Sequence, residues 1–69
     1  MPDNTYKVIE LVGESTKSFA DATNSAIKKA SKTLHGIGWF EVVQLRGRVA
    51  DGKVEHYQAV LKVGFKIDE

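Results

Sequence analysis

The stretch from Gly38 to Val49 limits what this chain can fold into more than any other. Its β-branched and aromatic residues read as a strand, and it carries the only tryptophan. Alternation sends Trp39, Glu41, Val43 and Leu45 to one face, and Phe40, Val42, Gln44 and Arg46 to the other. A half-exposed strand of a lone domain shows one wet face. Here both rows carry large apolar groups. Both need cover, and the rest of the chain is too short to supply it.

With 69 residues the chain makes one domain, spanning 1–69. A domain of that size buries only ~60% of the surface its unfolded form exposes, so it is marginal by itself. Small domains usually add disulfides, a metal or partner subunits. The sequence has no cysteine, which excludes disulfides and thiolate sites. His35 and His56 lie far apart with no ligand spacing around them. Oligomerisation is the remaining route, and the two-sided strand points the same way.

The formal net charge is +1, with acids and bases interspersed. Such a surface offers no broad field to nucleic acid or an anionic membrane. No apolar run approaches the ~20 residues of a membrane helix, and no secretory signal pattern is present. The expectation is a soluble, cytoplasmic protein with neither partner.

Taken in order, Met1 to Thr5 is a loose lead-in. Tyr6 to Val12 is the first strand, ended by Gly13. Ser18 is the N-cap of a helix, with Asp21 three residues on as a weaker capping box; Ser15 is the rival cap. The helix runs to about Leu34. Its apolar stripe of Phe19, Ala22, Ala26, Ile27, Ala30 and Leu34 is narrow and alanine-rich. At ~25 cal/mol per Å², Phe19, Ile27 and Leu34 supply most of what it can bury. Lys28, Lys29 and Lys32 gather near its end, and Gly36 supplies a left-handed residue there.

The two-sided strand follows, then Ala50-Asp51-Gly52-Lys53, a tight hairpin signal because Asp-Gly accepts positive φ at both central positions. The last strand spans Val54 to Ile67. Its row of Tyr57, Ala59, Leu61, Val63, Phe65 and Ile67 should pack on the helix, and Asp68-Glu69 is a short tail. The most apolar strand belongs at the centre, so the first strand should lie beside the last. The crossover suggests that these two run parallel. The face with Trp39, Val43, Leu45, Gln58 and Val60 then stays open in a monomer, to meet other subunits or a ligand.

Counting back from the turn sets Leu45 opposite Gln58 and Trp39 opposite Gly64. Trp39 and Gln58 share a face about 20 Å apart, at ~3.3 Å per residue. One small planar ligand cannot touch both within one chain unless the strands bend or bulge, but symmetry-related copies could bring the two together. Tryptophan offers a π-face, and glutamine a paired donor and acceptor for a heteroaromatic edge. The plainer alternative makes Trp39 an interface packing residue and Gln58 an ordinary strand residue. His56 as a general base lacks placed partners. Arg46 and Arg48 suit a phosphate, or simply a solvated strand. The lysine group suits an anion less well than it suits a solvated helix end. There is no glycine-rich phosphate loop.

Trp39-Phe40-Glu41-Val42-Val43 after a lysine- and alanine-rich helix, then Arg46-Gly47, Tyr57-Gln58 and Val63-Gly64-Phe65, resemble the dodecins. So do Lys7 to Gly13 and Ser18-Phe19 with Asp21-Ala22. The resemblance covers nearly the whole chain. It implies an α+β fold, a β-α-β-β domain with one helix packed on a curved three-stranded antiparallel sheet. It implies a hollow homododecamer that stores flavin, not an enzyme. Flavins would stack in pairs between Trp39 side chains of symmetry-related copies, quenched when excited, with Gln58 on the ring. Arg46 matches a position near the flavin. Gln44 matches one where the family often has an acid. Strict alternation, however, puts Arg46 on the face away from Trp39. FMN is the favoured cofactor, with riboflavin or FAD as variants and coenzyme A as a further ligand. The alternatives are a coenzyme A or other nucleotide carrier on the same shell, and a small flavin reductase.

Overall fold

The computed structural model describes residues 3–67. Four elements follow in order: β1 (Tyr6–Ser15), α1 (Phe19–Ala30), β2 (Ile37–Ala50) and β3 (Lys53–Lys66). The strands form one antiparallel sheet in the order β1-β3-β2. The first two residues of the lead-in and the Asp68-Glu69 tail lie outside the described residues.

The first strand does lie beside the last, but antiparallel to it, from Tyr6↔Lys66 to Ser15↔Tyr57. The crossover rule relates β1 to β2, the strands that α1 joins. Those two run the same way. The hairpin reverses β3, which then slots between them and opposes both. Asp51 and Gly52 carry φ of 53° and 73°, as the Asp-Gly turn requires.

β1 does not stop at Gly13. It continues to Ser15, and Gly13 pairs with Ala59. Here glycine marks a close approach rather than a terminator: a Cβ on Gly13 would collide with the Ala22 carbonyl and sit 2.8 Å from the Ala26 Cβ. Ser15 is buried and organises the turn. Its Oγ accepts from the Lys17 backbone N–H (2.9 Å) and, more weakly, from that of Ser18 (3.4 Å). It also donates to the Asp21 carboxylate at 2.7 Å. Ser18 is the true N-cap, accepting from the Asp21 N–H at 3.0 Å. Asp21 therefore reaches Ser15 rather than closing the box on Ser18.

The helix ends at Ala30, four residues before Leu34. Residues 31–34 form a looser turn, with the Thr33 hydroxyl donating to the Ala30 carbonyl at 3.4 Å. Side-chain to backbone bonding of this kind competes with helix continuation. Gly36 has φ +78°, but it turns the chain into β2 and does not cap the helix.

The core is small: Ala22, Ala59 and Leu61 are fully buried, with Ala26 and Ile27 packed on them. Val63 is buried beside them on β3. Phe19 meets Tyr57 edge to face, with ring centroids 5.1 Å apart, but stays partly exposed. The helix packs chiefly on β1 and β3. β2 is paired on one edge and has no buried residue. The radius of gyration is 14.5 Å, against about 11 Å for a compact domain of this length. Within the single chain the two-sided strand is thus left without cover on either face.

Candidate functional site

The register between β2 and β3 decides which side chains share the open face. It matches simple counting at both ends, Ala50↔Lys53 and Trp39↔Gly64, but slips between them. Glu55 is an extra residue in β3, and Val43 an extra residue in β2. Between these bulges Leu45 lies opposite Ala59, not Gln58, and Gln58 lies opposite Arg46. A one-residue slip moves every side chain to the other face.

Three expectations, for Leu45, Arg46 and Gln44, are corrected by that slip. Leu45 leaves the open face for the row of Ala59, on the helix side. Arg46 joins the face that carries Gln58 and Gly64, and therefore Trp39. Gln44, opposite Val60, sits on this face too. Val60 was expected to stay open but is buried, at the centre of the sheet.

Trp39 lies across Gly64. A Cβ on that glycine would run into Cε2 and Cζ2 of the indole and sit 2.6 Å from Nε1. The ring is held against the backbone of β3 and is still 42% exposed. Gln58 remains six positions along β3 from Gly64, so no single ring spans both within one chain.

Around Gln58 the three strands contribute one polar cluster. The Arg46 Nε–H donates to Gln58 Oε1 at 2.9 Å. Gln58 Nε2 donates to the Glu14 carboxylate at 2.6 Å. The Arg48 Nε lies 3.4 Å from the same carboxylate. The Gln58 hydrogen bond above all holds the Glu14 carboxyl below its ordinary range; desolvation opposes it, and His56 and Arg48 add lesser lowering effects. Glu14 escaped the sequence reading because it follows Gly13, the expected strand end. Gly64 was legible as a strand glycine but not as the seat of the indole.

His56 Nδ1 is buried without a hydrogen-bond partner, although Glu55 Oε1 lies 3.4 Å away in poor geometry. Proximity without alignment is no acid–base pair. On the helix side an apolar depression opens between Phe19, Tyr57 and the stretch from Gly47 to Val49. Trp39 and Gln58 do not line it. No helix among the described residues is long and apolar enough to cross a membrane.

A family model described as Dodecin matches residues 5–68. The chain belongs to the dodecin family. It is 44% identical over 64 residues to the dodecin of Thermus thermophilus, covering 93% of each chain. The dodecin structure from Streptomyces coelicolor superposes with a TM-score of 0.95 at 45% identity, over 100% of this chain and 99% of that one. The dodecin from Streptomyces davaonensis gives 0.93 at 44% identity, over 99% and 100%. The β-α-β-β order and the antiparallel sheet are those of the dodecin fold.

Proposed function

We propose that this dodecin is a flavin-sequestering homo-oligomer, a dodecamer, that holds FMN in stacked pairs between Trp39 side chains of neighbouring copies. The observation that carries the reading is the half-exposed indole laid over Gly64, on a face it shares with a glutamine amide of unspent hydrogen-bonding capacity. A lone indole on a sheet face gives a ring only one cover. A second copy supplies the other, and it can bring its own Gln58 to the ring edge.

The residues fit such a group. Trp39 offers a stacking surface fixed from behind, and Gln58 offers a donor and an acceptor. Arg46 and Arg48 bring two positive charges against the single negative charge of Glu14, which suits a phosphate and favours FMN over riboflavin. Gln44 shares the face and makes no side-chain hydrogen bond among the described residues, and its part is to border the ring. A flavin supplies a photo-excitable, redox-active ring, and an adjacent indole can return its excited state to ground by donating an electron. Rings closed between indoles exclude water and substrate, which suits storage and protection rather than turnover.

The test is one purified sample. Its mass in solution, absorbance and fluorescence should describe an oligomer that is yellow and nearly dark. Steady NADH oxidation by that peak would favour a flavin reductase. A colourless oligomer that takes up coenzyme A and ignores flavin would favour the carrier reading.

The assembly has its own test. Phe40 and Leu45 are each 51% exposed in the single chain, and Val42 is also exposed. Three such side chains on one strand mark a contact surface. Val42→Asp costs the isolated fold little, because that side chain is already wet. It should convert the oligomer largely to monomer in a mass measurement, and an unchanged mass would remove this row from the contact.

A further inference from the structure

We propose that Glu14 is a positioning residue that fixes which way the Gln58 amide faces, and so the polarity of the ring edge the site accepts. The inference rests on the flavin-binding reading. Its basis is the relay across the sheet, from Arg46 on β2 through Gln58 on β3 to Glu14 on β1.

A glutamine amide has two N–H donors and two acceptor lone pairs. One lone pair is used by the Arg46 Nε–H and one N–H by Glu14. One of each remains. Their directions are set, with the carbonyl toward β2 and the amino group toward β1. An ionised carboxylate only accepts, and a guanidinium only donates. Flipping the amide would set oxygen against the carboxylate and N–H against N–H, so both ends of the relay oppose it.

The free donor and acceptor match a ring edge on which N–H and C=O are neighbours, a cyclic imide or lactam. Such an edge pairs in one sense only: its N–H to Oε1 and its carbonyl to Nε2. The flavin pyrimidine ring has this edge. Rings without the N–H lose one of the two bonds and leave Oε1 underused, which is how hydrogen-bonding sites reject analogues.

The basic groups facing Glu14 are Arg48 from β2 and His56 from β3, with Arg46 on the far side of Gln58. Its folded pKa is depressed, chiefly by the Gln58 bond. The carboxylate form, and the lock, therefore hold above the ordinary carboxylate range and fail only as pH falls through the lowered value.

The experiment uses the full-length protein, riboflavin, and a riboflavin methylated on the ring imide nitrogen. Wild type should prefer the unmethylated ring. Glu14→Leu should weaken riboflavin roughly five- to tenfold, since hydrogen bonds to charged groups are the stronger kind. It should also compress the preference toward one, while Glu14→Gln, which keeps an acceptor, restores part of it. In a Gln58→Ala background, itself a weaker binder, Glu14→Leu should have no further effect. In flavin-free protein the Glu14 carboxyl carbon should titrate below the ordinary range by NMR and move back up in Gln58→Ala. Flavin uptake with an unmoved preference in Glu14→Leu, or an equal loss in both backgrounds, overturns this inference alone. Wild-type protein that takes up no flavin overturns the binding reading and this inference with it.

Discussion

Trp39→Ala should weaken flavin binding roughly 10- to 100-fold and restore the fluorescence of whatever flavin remains bound. Stacking on an aromatic side chain contributes about 1–3 kcal/mol per ring by alanine substitution, and every ring in the proposed stack has one indole neighbour. The chain should still fold, because Trp39 lies outside the buried cluster of Ala22, Ala59 and Leu61. A companion variant separates the ring's presence from its placement. Gly64→Ala keeps the indole but puts a methyl group where the ring now lies. The ring can swing away at little cost in stability, so binding should fall while the melting temperature barely moves. Titration by absorbance and by fluorescence checks both variants. Unchanged affinity and quenching in Trp39→Ala would remove it from the site.

Gly13→Ala should be the most damaging small substitution for stability. Gly13 does not have positive φ, so alanine fits its backbone. What it lacks is space. The new methyl would strike the Ala22 carbonyl, a rigid helix backbone atom, and crowd the Ala26 Cβ. Overpacking costs about 1–3 kcal/mol, and the upper end applies because a whole helix must lift off β1. For a domain of this size about 3 kcal/mol lowers the melting temperature by roughly 15 °C. Gly38→Ala is the control, with nothing within 4 Å of the added carbon. Thermal melts at equal protomer concentration decide the matter, since an oligomer's midpoint moves with concentration. Equal melting of the two variants would mean that α1 and β1 are not in contact as described.

The sensitivity of Gly13 and the exposure of β2 have one origin. An alanine-lined helix can lie close to its sheet, but it is too narrow to cover three strands. α1 covers β1 and β3. The apolar rows of β2 are left uncovered within the chain. The weakness of the lone domain and the availability of Trp39 are the same fact in different places.

Most of the elements were legible in the residues. The Asp-Gly turn, the Ser18 cap and the apolar row of β3 are short-range signals, and each lies where local chemistry puts it. Trp39 opposite Gly64 was also legible, because two bulges of opposite sense cancel by the time the ladder reaches them. The relay of Glu14, Gln58 and Arg46 was not. It needs β1 antiparallel to β3, a β1 that runs past Gly13, and a register slipped by one between Glu55 and Val43. Each of these is settled by contacts between residues far apart in the chain: the helix pressing on Gly13, and the ladder absorbing an extra residue in each strand. Alternation along one strand cannot register a bulge, since the energy that places it belongs to the pair of strands. Local composition therefore determined which elements exist and that β2 needs company. Long-range packing decided which face each side chain joins, and with it which residues meet at the amide of Gln58.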